Sequence, residues 1–128
     1  MNSATNTIRK VSQAILQHND FTSGSCIPMS RALVQYMNEK YAIRLITHTG
    51  FLVDGQIKVP HMWVSYHGRC IDLTSHKQDG ISIKPIILKE AGQNRIESND
   101  LPPHFIEIDT TDNKLFKEWF FDYLEYKL

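Results

Sequence analysis

The chain has 128 residues, 41% hydrophobic and 22% charged, which suits one domain with one core. Fourteen Lys and Arg balance fourteen Asp and Glu, so the basic excess expected of a nucleic-acid or anionic-membrane binder is missing. No apolar run approaches the roughly 20 residues that cross a bilayer, and the polar start MNSATNTIRK lacks the apolar centre of a secretory signal. The expectation is a single cytoplasmic domain over residues 1–128; export by a signal-independent route would leave the same pattern.

Ile8, Val11, Ala14 and Ile15 recur at three- and four-residue spacing, with His18 extending the stripe. They predict an amphipathic helix from about Thr7 that stops near Asn19-Asp20. Residues 21–25 are a small, polar loop in which Ser23 or Ser25 caps a second helix, with Pro28 in its first turn. That helix runs to about Glu39 and buries Ala32, Leu33, Tyr36 and Met37. Residues 43–47 read as a strand rich in β-branched side chains. Residues 51–53 and 56–59 flank Asp54-Gly55, a hairpin signal, and Pro60 is expected to end the second of them. Residues 62–66 and 69–73 form another hairpin around His67-Gly68. Residues 75–80 are polar loop. Residues 81–88 are extended, with Pro85 marking an edge. Residues 91–103 are loop and 104–108 a last short strand. Thr110-Thr111-Asp112 caps a final helix to about Tyr126, whose face carries Leu115, Trp119, Phe120, Tyr123 and Leu124. Tight turns between consecutive strands demand antiparallel pairing. The fold class is therefore α+β, an antiparallel β-sheet packed against helices.

Chemistry gathers in two stretches. Cys26 stands where the second helix starts, after the small residue Gly24. A free thiol titrates at about 8.5, and a helix N-terminus or a neighbouring imidazolium favours its thiolate; the blander reading is a buried structural cysteine. His61 opens a strand and Asp72 lies on the next. If His67-Gly68 is a two-residue turn, Trp63 faces Asp72, and residues 61 and 63 share a face. His61 and Asp72 are then diagonal cross-strand neighbours, and a slip of one residue would part them. Asp72 is set among Cys70, Ile71 and Leu73, where an unpartnered carboxylate is costly. Trp63 either shields the pair or is plain core, and Cys70 reads as core. Without a signal peptide the two cysteines read as free thiols. His48, His67, His76 and His104 read as surface or turn residues. With no CxxC or HExxH, neither metal nor cofactor is expected; the loose set Cys26, His48, His61 and Asp72 is the weakest rival.

These residues resemble the transglutaminase-like superfamily of papain-type cysteine enzymes. The resemblance covers residues 24–74. It consists of Cys26 at a helix start, the small Ala32, the strand Ile43-Arg44-Leu45-Ile46 after Tyr41, His61-x-Trp63 opening a strand, and Gly68-Arg69-Cys70-Ile71-Asp72-Leu73-Thr74 in place of the usual Asp-Pro-Thr ending. It departs from the family at Leu73, where proline is common. The chain also lacks the extra domains and acidic calcium loop of animal transglutaminases, and the Arg-Gly-Gly-x-Cys pattern of arylamine acetyltransferases. The resemblance implies a papain/transglutaminase-like core with Cys26 as nucleophile, His61 as base and Asp72 as orienting acid. Small stand-alone members include proteases and bacterial glutamine deamidases.

The expected activity is cysteine-dependent acyl transfer on amide bonds of a protein or peptide: a protease or protein-glutamine deamidase. An amine-accepting transglutaminase differs only in what enters second, and a non-catalytic binding module of the same fold is the rival of another class. The Cys26 N–H and a second donor would hold the oxyanion, with Gln17 and Asn19 as candidates for the second. Neither substrate identity nor oligomeric state is written in the sequence.

Overall fold

Among the described residues, three helices line one face of a five-stranded antiparallel sheet. The structure is a computed structural model that describes residues 3–18, 26–75, 80–105 and 110–128. Helix α1 spans Ser3–Leu16, one turn longer than its apolar stripe announces. The extra turn carries a bond from the Thr7 hydroxyl to Ser3 O at 3.0 Å, and its one apolar residue, Ala4, packs against the core four positions before Ile8. Helix α2 spans Cys26–Tyr41 and buries Ala32, Leu33, Tyr36 and Met37. Helix α3 spans Thr110–Lys127. Its buried row is Phe120 and Leu124 with Phe116, Phe121 and Tyr123 against the core, whereas Leu115 and Trp119, expected on that face, are exposed. The contact follows the four-residue ridge 116–120–124, narrower than the face expected. An ion pair between Lys40 and Glu125 ties α2 to α3.

The strands are β1 (Ile46–Asp54), β2 (Ile57–Tyr66), β3 (Arg69–Asp72), β4 (Ile86–Lys89) and β5 (Arg95–Glu97), in the order β4-β3-β2-β1-β5. Four expectations need correction. Residues 43–47 are not a separate strand: Ile43 and Leu45 are buried in the helical core, and β1 begins at Ile46 and runs on through residues 51–53. Pro60 does not end β2 but pairs with Phe51 inside it. Beside Pro60 the β3 side of β2 has no paired residue, since β3 pairs only with residues 64–66, so a missing N–H there breaks no bond. Residues 91–103 are not all loop, because Arg95–Glu97 forms β5 against β1. Pro103–Phe105 is a 3-10 turn rather than a strand, and residues 106–109 lie outside the described residues.

Alternation along β2 divides its side chains between two layers. Val64, with Ile71, Leu73 and Leu88, joins Ile8, Ile15, Leu33, Met37 and Phe120 in the main core under the helices. His61, Trp63 and Ser65 point to the other layer, as do Cys70 and Asp72 by register. This polar face is concave. β3 and β5 are three strand spacings apart, roughly 14 Å in a flat sheet, yet side chains from the two meet at 2.7 Å. The sheet therefore curls over this face, with residues 90–94 joining its two edges.

Candidate active site

The two-residue turn His67-Gly68 sets the geometry. Both residues have positive φ, 48° and 78°, the left-handed pair that matches the twist of a tight hairpin. The resulting register puts Tyr66 opposite Arg69, Ser65 opposite Cys70 and Val64 opposite Ile71. His61 and Asp72 meet across it, with Nε2 and Oδ2 2.8 Å apart and side-chain exposures of 0% and 1%. A carboxylate oxygen only accepts, so His61 Nε2 carries the proton in this bond.

Asp72 takes two further donors. Arg95 Nε reaches the same Oδ2 at 2.7 Å, and the Thr74 backbone N–H reaches Oδ1 at 3.3 Å. Arg95, 7% exposed, also bonds Ser75 Oγ at 3.1 Å and Ala91 O at 3.3 Å. Burial alone would raise the Asp72 pKa. The hydrogen bond and charge of His61, then those of Arg95, outweigh it and hold the carboxyl below its ordinary value. For His61, burial disfavours the imidazolium most strongly, but Asp72 and Cys26 together prevail and push its pKa up to about 9.

Cys26 heads α2 and lies in a small buried cluster with Ile27 and Met62, the residue that follows His61; Phe105 packs against it. Ser30, one turn along α2, donates to Met62 O at 3.4 Å. The body of α2 covers the Val64 face, and the Cys26 thiol at its head is close enough to His61 to help raise the imidazole pKa. With Nε2 committed to Asp72, Nδ1 is the nitrogen left for the thiol, and it is buried with no hydrogen-bond partner. The arrangement can pass a proton between sulfur and imidazole while Asp72 fixes the ring.

Trp63, 3% exposed, stacks with His61 and also with His48, each at 6.0 Å between centroids. His48 is thus no plain surface residue. It lies mid-strand on β1 with two partners, Ser65 and Glu97, because β5 supplies an acid that the loop reading of residues 91–103 could not place. His67 is the expected turn residue. The backbone of His104 lies in the 3-10 turn, and His76 is outside the described residues. Cys70 is buried and free, as is Cys26. Of the oxyanion candidates, Gln17 is exposed in the turn after α1, its N–H bound to Gln13 O, and Asn19 lies outside the described residues.

Arg95 and Ser75 stand outside the sequence reading, which includes Thr74 only as the end of the Asp72-Leu73-Thr74 motif. The cost of burying Asp72 was the one signal that called for a cation, and a lone arginine between Asn94 and Ile96 announced nothing further. Among the described residues, no three His, Cys, Asp or Glu side chains converge to hold a metal ion. None of the described helices is long and apolar enough to cross a membrane. Comparison with protein-family models, curated proteins and solved structures finds no match.

Proposed function

We propose that this chain is a cysteine-dependent acyl-transfer enzyme of the transglutaminase-like kind, acting on amide bonds of a protein or peptide. One observation carries the reading. His61 has one ring nitrogen tied to a buried carboxylate and the other buried with no hydrogen-bond partner, and the Cys26 thiol at the head of a helix is close enough to help raise its pKa. Held near 9, His61 is protonated at neutral pH, and its Nδ1–H is available to stabilise a thiolate. The sulfur attacks the amide carbonyl carbon while the Cys26 N–H donates to the developing oxyanion. His61 then gives its proton to the departing nitrogen, leaving a thioester. Water completes hydrolysis, as in a protease or glutamine deamidase; an amine would complete transamidation. Asp72 stays ionised throughout, since Arg95 shares its Oδ2.

A second reading, a binding module, is favoured by the burial of Cys26, which is 7% exposed. Iodoacetamide separates the two. In the enzyme, Cys26 alkylates rapidly at pH 7 and His61→Ala slows it about a hundredfold, the lower end of what a paired base contributes. Slow alkylation, equal in both proteins, would sink the enzymatic reading. Mass spectrometry of a glutamine-containing protein incubated with the chain then sorts the reaction into glutamate formation, chain cleavage or amine addition. A product that persists in Cys26→Ser belongs to a contaminant.

A further inference from the structure

The concave face holds a second acid–histidine arrangement, separate from Cys26. His48 Nε2 lies 2.6 Å from Ser65 Oγ, and His48 Nδ1 lies 2.7 Å from Glu97 Oε1. Three neighbouring strands supply the three residues: β5 gives the acid, β1 the imidazole and β2 the hydroxyl. The polarity of the chain follows from Glu97. Its carboxylate can only accept, so Nδ1 donates to it. In the neutral ring Nε2 must then accept, and the Ser65 hydroxyl donates. Stacking on Trp63, with the planes 13° apart, holds the imidazole in this orientation.

A cavity of about 190 Å³ opens on the group, lined by all three residues together with Trp63, Gly68 and Cys70. Cys70 is the cross-strand partner of Ser65. Burial, partly offset by the nearby Arg95 charge, pushes its thiol up to about 12, so it remains a neutral wall and does not compete as a nucleophile.

We propose that Ser65 is a second nucleophile, activated by His48 and oriented through Glu97, that accepts acyl groups from short-chain esters. The Ser65 oxygen attacks the ester carbonyl carbon as its proton moves to His48 Nε2. The bond from that carbon to the alcohol oxygen breaks, and the proton passes from Nε2 to the departing alkoxide. Water then attacks the acyl-serine and loses a proton to Nε2. The carboxylic acid leaves, and the proton returns to the Ser65 oxygen. Glu97 keeps its charge throughout and holds the ring. The cavity admits a short acyl chain and no large group. An ester asks less of the relay than an amide, whose nitrogen must gain a proton to depart.

The probe is a fluorophosphonate, which loses fluoride to an activated serine oxygen, together with p-nitrophenyl acetate as substrate. In wild-type protein, and in a Cys26→Ser background that silences the first site, mass spectrometry should find the adduct on Ser65. His48→Gln should slow its formation about a hundredfold or more, within the range of general-base catalysis. Glu97 only orients the ring, so Glu97→Gln should slow it less, by roughly tenfold. Acetate ester turnover should follow the adduct and vanish in Ser65→Ala. Absence of a Ser65 adduct in folded wild-type protein overturns the proposal, as does an adduct that forms equally fast in Glu97→Gln. That variant lies at an exposed rim and leaves the core untouched, so the test survives if His48→Gln fails to fold. Because these readouts run without Cys26, they stand or fall apart from the amide chemistry proposed above.

Discussion

His61 and His48 stack on the same tryptophan, and each bonds a carboxylate at nearly the same distance, 2.8 Å and 2.7 Å. Their surroundings set them apart. Asp72 is sealed at 1% side-chain exposure and shared with a buried arginine, whereas Glu97 is 66% exposed at the rim. The sealed pair is part of the architecture, since three strands lose their polar satisfaction if it goes. The rim pair can be altered while the fold stands. Distance alone does not distinguish a structural keystone from a replaceable contact; burial does.

The sharpest test of this difference makes the same chemical change at both places. Asp72→Asn leaves Arg95 and His61 buried without their counter-charge and should cost about 3–5 kcal/mol, read from urea unfolding midpoints at constant slope. The counterpart, Glu97→Gln, is the smallest effect expected and is taken last. Similar losses at the two positions would dissolve the comparison.

Next in size is Gly50→Ala. A methyl group there would stand 1.9 Å from Ile96 O and 2.8 Å from Glu97 Cα, so β5 must move and carry Arg95 off Asp72. A loss of about 1–3 kcal/mol is expected, with alkylation of Cys26 altered, both through β5 and because residue 50 is the cross-strand partner of His61. Unchanged alkylation would separate β5 from the proposed chemistry.

The third test is pH. Folded His61 keeps its proton up to about 9, against 6.5 for an ordinary histidine. Its contribution to stability is therefore complete below pH 6.5 and lost as pH rises through 9. Asp72, held below its ordinary 3.8, contributes above that value and loses its contribution as pH falls below it. The stability gap between wild type and His61→Gln should thus narrow between pH 6.5 and 9 in urea titrations. A gap that widens over that interval would reverse the assignment. Last, Glu97→Gln should shift stability by no more than about 1 kcal/mol, as exposed pairs do.

What could be read from the sequence followed local rules. His67-Gly68 specified a turn length, the turn specified a register, and the register placed Asp72 beside His61. The residues that escaped belong to contacts between distant segments. Arg95 lies 23 positions from Asp72 on a three-residue strand, too short for alternation to show. Pro60 misled because its rule concerns pairing on both sides, and the far side of β2 is open at that point. Leu115 and Trp119 misled because aromatic content marks a helix face less sharply than the row that meets the neighbouring helix.

The curl of the sheet has a consequence in time. As the chain is made, Cys26, His61 and Asp72 all emerge before Arg95, and β5 can add to β1 only once residues 90–94 have swung from one edge to the other. Contacts so remote in sequence form late, after the loop entropy has been met. Until then Asp72 lacks its arginine, and the carboxylate that orients His61 is incompletely held. If Cys26 reacts as proposed, its reactivity would come with the closing of the sheet, and a half-made chain would hold the thiol without the means to use it.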